Sequence, residues 1–342
     1  MKANPRKRIL QILNETGIDG FDCASINEVC LASEINPKKE IFFNNPIKRS
    51  RDIADAKKLG IRYFTAQTRG EIDKILKASY MSNSEDQNEI AIRMETQNPN
   101  AQINLSEKFG ASEKETAGLI NYIKQAAAKF AHTGISMHTG SQNTDLVSYG
   151  IAIRTMSDIA KNSGGVQSIN IGGGIPVQPD TDSEQEILKY LDAINRAVRD
   201  NIKGALIGNK PKIIAELGRS VVADCVDLYV PVLSSETRSG KKCVYIDDGV
   251  FTSFSDSVIH GWEYPLNPVR PFFRRKAFRE NVQTKVFGRT CDSGDYLTGD
   301  YLLPSDLDDG DYIHVPCAGA YMDSQASRFN GFETPKYISY NI

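Results

Sequence analysis

Histidine and cysteine are too few and too scattered for a metal site. The 342 residues hold four histidines and six cysteines, with no H-x-x-x-H and no C-x-x-C spacing, so no metal ligand set is expected. A chain this long does not need disulfides, so Cys23, Cys30, Cys225, Cys243, Cys291 and Cys317 read as reduced thiols of a cytoplasmic protein. An excess of either charge is also missing: 41 Lys and Arg stand against 43 Asp and Glu. The one basic run, Arg270 to Arg279, is too short for a nucleic-acid track and reads as a solvated face or a rim that steers anions. No apolar run is long enough to span a membrane, and no signal peptide opens the sequence. What remains is a chain with 40% hydrophobic residues, enough for a large core and two domains.

From residue 20 to about 225 short apolar runs alternate with amphipathic stretches. Runs at 20–25, 40–46, 63–66, 89–94, 135–138, 168–171 and 212–216 read as strands; stretches at 26–33, 49–59, 69–78, 114–130, 145–163 and 183–199 read as helices. Seven regular units predict a parallel sheet, and their number points to a TIM-like (β/α)8 barrel lacking its first strand. Sites in such barrels lie at the C-terminal strand ends, which here carry Asp22, Asn44, Gln67, Arg93, His138, Gly172-Gly173-Gly174 and Glu216. The triple glycine follows an apolar strand directly; bare backbone of this kind can point several N–H groups at one anion. After about residue 226 the texture changes to short β-branched runs at 227–233, 243–246, 285–287, 311–315 and 336–340. The expected division is therefore a barrel domain over 1–226 and a β domain over 227–342.

Lys2-Ala-Asn-Pro5, His138-Thr-Gly-Ser-Gln142, Gly172-Gly-Gly174, Glu216-Leu-Gly-Arg219, Cys291-Asp292 and Gly319-Ala-Tyr321 follow one another in this order. In that order the chain resembles the fold III pyridoxal-phosphate decarboxylases of basic amino acids, along nearly its whole length. Cys-Asp at 291–292 is more similar to the ornithine branch than to the diaminopimelate branch. The resemblance implies pyridoxal 5'-phosphate as cofactor and decarboxylation of ornithine to putrescine, with lysine, arginine or diaminopimelate as alternative substrates. It implies a homodimer with shared active sites, and partners that are neither nucleic acid nor membrane. A non-catalytic homologue of the antizyme-inhibitor kind is the alternative of another class.

By the same resemblance Lys2 is the lysine that binds the cofactor aldehyde, His138 stacks on the pyridine ring and Glu216 pairs with its nitrogen. Arg93, Ser141, Gly172, Gly173, Gly174, Gly218, Arg219 and Tyr321 join the cofactor-binding set. Cys291 is the thiol that returns a proton to Cα, and Asp292, His260 and Tyr321 face the substrate. The chain also departs from the pattern. Gln67 falls where a carboxylate is common, and Leu217 and Arg289 replace prolines. His260 stands where ornithine decarboxylases place an aspartate, and an imidazole supplies no fixed negative charge. The family's N-terminal β-domain strand and first barrel strand are expected before Lys2, so numbering is expected to start at an internal methionine of a longer frame. The short form is then expected to be poorly active.

Overall fold

The computed structural model describes residues 1–81, 87–98, 101–103, 105–127, 131–177, 183–274 and 276–339. They form two compact units, Met1–Ser220 and Val221–Ile342.

In the first unit seven parallel strands lie side by side: β1 (Gly20–Cys23), β2 (Glu40–Phe43), β3 (Tyr63–Ala66), β4 (Asn88–Arg93), β6 (Ala131–Ser136), β8 (Ser168–Asn170) and β9 (Lys212–Ile214). Two further strands, β5 (Ala101–Ile103) and β7 (Ser141–Asn143), pair antiparallel with each other. Helices α1 (Lys7–Glu15), α2 (Ile26–Ile35), α3 (Ser50–Lys58), α4 (Arg69–Met81), α5 (Glu113–Ala127), α6 (Leu146–Asn162) and α7 (Ser183–Asn201) alternate with the strands, and the short α8 (Arg219–Val222) follows β9. Their starts are written locally. Ser112 and Glu115 form a reciprocal capping box on α5: each side chain accepts from the other's backbone N–H, at 3.4 and 3.0 Å. Asp145 caps α6 by accepting from the Val147 N–H at 2.9 Å.

The sheet curls. Lys212 on β9 bonds Glu40 and the Tyr63 hydroxyl on β2 and β3, and Glu216, just past β9, meets Asn44, just past β2. The expected seven-stranded open barrel is thus present, with β1 and β9 at its two edges. Phe43, Phe64, Ile90, Ile92, Ile135 and Ile169 are among its fully buried residues, the continuous apolar runs that a parallel sheet requires.

Several element boundaries differ from the sequence reading. Helix α1 was not anticipated; its apolar stripe is thin, and Leu10 is its one buried residue. The polar stretch after Met94 contains β5, whose partner β7 holds it against the turn at Gly140. The strand expected to run to His138 ends at Ser136, because the chain turns there and the Gly140 N–H donates back to His138 Nδ1 at 3.1 Å. Residues 128–130, placed in the α5 helix by the sequence reading, lie outside the described residues.

The second unit is a six-stranded, mostly antiparallel sheet in the order β12-β15-β10-β11-β13-β14. Its strands are β10 (Leu228–Arg238), β11 (Lys241–Ile246), β12 (Asn267–Val269), β13 (Asn281–Phe287), β14 (Tyr301–Pro304) and β15 (Tyr312–Val315), with helix α9 (Ser255–His260) between β11 and β12. Strand β10 runs on past the expected Leu233. Ser239 and Gly240 both take positive φ, the two-residue hairpin turn that matches strand twist, and pairing extends to Arg238 and Lys241. The strand expected at 336–340 is absent over 336–339. Ile338 is exposed there, so its alternation finds no buried face; Tyr340 lies outside the described residues. Val230, Val232, Val244, Ile246, Val286, Ile313 and Val315 form the core with Phe254 from the segment before α9.

The Asp311 carboxylate, fully buried at the start of β15, accepts from Arg270 Nη2 at 2.9 Å and from Arg270 Nε at 3.0 Å, and from Arg274 Nη1 at 3.3 Å. Burial alone would raise its pKa, but the hydrogen bonds from Arg270 outweigh it and hold the carboxyl below its ordinary value. Removing the carboxylate takes the bidentate partner from Arg270, which keeps Asp306, and the ion-pair partner from Arg274, which keeps the Asp309 carbonyl. Asp311→Ala is expected to cost about 2 kcal/mol in urea unfolding at neutral pH, the scale of lost hydrogen bonds to charged groups. A depressed carboxylate stabilises above its unfolded pKa and loses that contribution on acidification, so the deficit should shrink toward pH 3.

Candidate active site

Glu216 sits just beyond β9 with its backbone N–H on Gly172 O at 2.8 Å, so the loop after β9 is tied to the loop after β8. Its carboxylate oxygen Oε1 accepts from Asn44 Nδ2 at 2.9 Å and from Asn170 Nδ2 at 2.6 Å. Among the described residues no hydrogen bond reaches Oε2. Burial and then the nearby Asp22 push the Glu216 carboxyl up to about 7, against the favourable charges of Arg93 and Lys2 and the Asn170 bond.

The triple glycine leaves no room for side chains. A Cβ on Gly172 would meet Met137 O at 2.3 Å, on Gly173 Glu216 O at 2.2 Å, and on Gly174 Gly140 O at 2.0 Å. Gly172 and Gly174 take positive φ, where a substituent is strained as well. The Gly172 N–H donates to Asn170 Oδ1 at 2.9 Å. Among the described residues the Gly173 and Gly174 amides make no hydrogen bond, so both remain available to an anion.

His138 lies over this loop: its Cε1 and Nε2 would be 3.3 and 3.7 Å from a Cβ on Gly174 and Gly173 respectively. Its Nδ1 accepts the Gly140 N–H, which leaves the proton of the neutral ring on Nε2. Burial first, then the Arg93 and Lys2 charges, holds its pKa well below the ordinary 6.5. The backbone around it is fixed by Thr96 Oγ1, which donates to His138 O at 2.7 Å, and by Asn98 Nδ2, which donates to Thr139 O at 2.7 Å. Arg93, buried at the end of β4, is lowered by burial and raised by the carboxylates of Glu216 and Asp22. The terminal amine of Met1 donates to Asp22 O at 3.2 Å. Lys2 follows, with its side chain exposed and its charge bearing on both His138 and Glu216. Ser141 begins β7, paired with Ile103. Gly218 precedes α8, and Arg219 opens it.

The first unit thus brings together Lys2, Arg93, His138, Gly172–Gly174 and Glu216. Asn44 and Asn170, which bond Glu216 directly, were not assigned a role from sequence; Asn44's place at a strand end was the available signal. Gln67 accepts from the Gly110 N–H at 2.9 Å, a loop-holding contact.

The remaining candidates lie in the second unit. Cys291 is exposed, and Asn330 Oδ1 accepts from its N–H at 3.2 Å and faces its Sγ at 3.4 Å. Asp292 Oδ1 accepts from the Gly294 N–H at 2.7 Å. The segment before them is clamped by buried Asp295, which accepts from the Thr290 N–H at 2.9 Å, the Thr290 hydroxyl at 2.6 Å and the Val250 N–H at 2.9 Å. His260 ends α9 with Nε2 4.0 Å from Asp256 Oδ1. Tyr321 takes positive φ at 69°, one turn from Gly319, whose N–H donates to Ala223 O.

The model of the pyridoxal-dependent decarboxylases, pyridoxal binding domain, matches residues 1–223. The chain belongs to this family. It is a pyridoxal-phosphate-dependent amino acid decarboxylase, and the glycine amides without a bond among the described residues, the half-buried carboxylate and the neighbouring lysine fit that cofactor. The chain is 29% identical to a lysine/ornithine decarboxylase of Selenomonas ruminantium over 97% of its own length and 80% of the relative's. It is 30% identical to antizyme inhibitor 2 of Xenopus laevis over 97% and 73%. Among solved structures, the arginine decarboxylase of Paramecium bursaria Chlorella virus bound to agmatine superposes with a TM-score of 0.83 at 28% identity, covering 97% of this chain and 86% of that one. Among the described residues no group of side chains could hold a metal ion, and no helix is long and apolar enough to cross a membrane.

The two titrating groups give opposite signs. Glu216 is raised, so in the ligand-free protein its ionisation costs stability as pH rises from about 4.5 to about 7. His138 is lowered, so stability falls as pH drops below 6.5. Subtracting the thermal midpoints of Glu216→Gln from wild type across pH 4.5–7 should isolate the first slope, and His138→Gln the second. Parallel curves for Glu216→Gln and wild type would show that the carboxylate is not raised.

Proposed function

We propose that the protein decarboxylates a basic amino acid, ornithine before lysine, arginine or diaminopimelate, with release of putrescine and carbon dioxide. The observation that carries this reading is the carboxylate of Glu216, half-buried at the glycine loop with His138, Arg93 and Lys2 around it. When bound, pyridoxal phosphate supplies an electron sink for the pair left on Cα as carbon dioxide departs. The chain's own part is positional and electrostatic. Lys2 supplies the amine that tethers the cofactor aldehyde, and Glu216 keeps a proton on the ring nitrogen. His138, neutral through burial, packs on the ring without adding charge. Gly172, Gly173 and Gly174 offer amides to the phosphate, with Ser141, Gly218, Arg219 and Tyr321 completing that set; a guanidinium suits a dianion.

Cys291 Sγ returns a proton to Cα, in the place the carboxylate has left. Asp292 binds the distal ammonium, a charge-assisted contact worth about 1.5–3 kcal/mol. His260 offers no fixed negative charge for a second contact, which weakens preference among basic substrates. The lysine/ornithine decarboxylase relative supports the basic substrate class. A non-catalytic role like that of an antizyme inhibitor is the second reading, favoured by the 30% identity to antizyme inhibitor 2. The joint presence of Lys2, His138, Glu216, Arg219 and Cys291 argues for chemistry.

The active form is a homodimer whose sites combine Lys2, His138, Glu216 and Arg219 of one subunit with Cys291 and Asp292 of its partner. A screen of the four amino acids for carbon dioxide release tests the reaction, and no release from any of them would favour the antizyme-inhibitor reading. Borohydride should fix cofactor to wild type and not to Lys2→Ala. Mixing Lys2→Ala with Cys291→Ala, with exchange of subunits, should restore about a quarter of the activity if sites are shared. No recovery in mixed dimers verified by mass would place each site within one subunit.

A further inference from the structure

The geometry points to Asn44 as a positioning residue for Glu216: its carboxamide, aimed by Thr65, fixes the carboxylate through Oε1 and leaves Oε2 to meet the cofactor ring. This deepens the proposed function and rests on the assignment of Glu216 made there.

With Glu216 ionised, the hydrogen-bond chain admits one orientation. An ionised carboxylate only accepts, so the group of Asn44 at 2.9 Å from Glu216 Oε1 must be its NH2. The other end, Asn44 Oδ1, then accepts from the Thr65 hydroxyl at 2.9 Å. Thr65 is held in turn: its carbonyl accepts from Lys48 Nζ, which also donates to Asn45 O at 2.7 Å. Lys48 is buried beneath the ends of β2 and β3, so this end of the chain is anchored in the core. On the far side Asn170 is fixed by the same logic, with Nδ2 on Glu216 Oε1 and Oδ1 under the Gly172 N–H.

Two carboxamides from strands on opposite sides of the curled sheet therefore load one oxygen of a single carboxylate. A lone donor leaves a carboxylate able to rotate about its last bond; two donors converging on Oε1 from β2 and β8 restrict that rotation. The arrangement also works against the burial of the carboxylate, the largest influence opposing its ionisation. Asp22 from β1 opposes ionisation of Glu216, while Arg93 from β4 and Lys2 favour it, and His138 from the segment after β6 is uncharged at neutral pH. Donors to the charged form offset burial. Asn44 is not a catalytic residue, since its contacts run to Glu216 and Thr65.

The test is a double-mutant cycle read on cofactor binding, together with the titration of Glu216 in ligand-free full-length protein carrying 13C-labelled glutamate. Asn44→Ala should weaken pyridoxal phosphate binding about tenfold, the scale of one hydrogen bond to a charged group. It should also move the Glu216 carboxyl midpoint upward by about one pH unit, the equivalent of tenfold. In the Glu216→Ala background the same substitution should change affinity by less than about twofold, because the acceptor it acts through is gone. Thr65→Val keeps Asn44 and removes the hydroxyl that aims it; a smaller loss in the same direction, again absent beside Glu216→Ala, guards against a folding defect in Asn44→Ala. An equal loss in both backgrounds, or an unmoved Glu216 midpoint, overturns the inference. If Glu216→Gln by itself leaves cofactor affinity and absorption spectrum unchanged, the assignment of Glu216 has failed instead, and the midpoint still decides the role of Asn44.

Discussion

A half-buried carboxylate at the mouth of an open barrel sets the terms for everything around it. Glu216 loses hydration on burial, which costs several kcal/mol unless donors replace the water. The fold meets that cost from four directions: Asn44 from β2, Asn170 from β8, and the charges of Arg93 and Lys2. None of these groups is near another in the sequence. They meet because the seven-stranded sheet curls until β9 faces β2, a closure also seen in the contacts of Lys212 with Glu40 and Tyr63. The curl and the carboxylate are thus mutually dependent, since a flat sheet would leave Glu216 without Asn44.

The glycine loop follows from the same crowding. Gly172, Gly173 and Gly174 each lie against a carbonyl that a Cβ would strike at 2.0–2.3 Å. Backbone therefore packs on backbone between the ends of β6, β8 and β9, and His138 closes over the top. Rigidity here has a physical source in close packing rather than in many side-chain contacts. A loop so confined presents its Gly173 and Gly174 amides in one arrangement, which lowers the ordering cost of binding an anion.

The second unit solves a similar problem with different means. Its buried carboxylates are satisfied by backbone amides and hydroxyls at Asp295 and by arginines at Asp311. Asp295 also fills the space beside Gly249 and Gly288, where a Cβ would meet its carboxylate at 2.2 Å. The segment that carries Cys291 and Asp292 is consequently held at its base by a buried group, while Cys291 itself stays exposed.

Much of this was legible in the residues. The alternation of apolar runs with amphipathic stretches fixed seven parallel strands in order, because a strand buried on both faces needs a continuous apolar run and each crossover needs a helix. Three adjacent glycines announced a loop without side chains, and His138, Arg93 and Glu216 were visible as polar residues at strand ends. Helix α1, the β5–β7 pair and the true end of β10 were not legible. Their signals are a thin apolar stripe, a three-residue pairing of distant segments, and a Ser-Gly turn that only pairing reveals. The partnership of Asn44, Thr65 and Asn170 with Glu216 was hidden for a stronger reason. A carboxamide at a strand end states what it can donate and accept, whereas the choice of partner depends on how far the sheet curls, and that is set by the packing of all seven strands together.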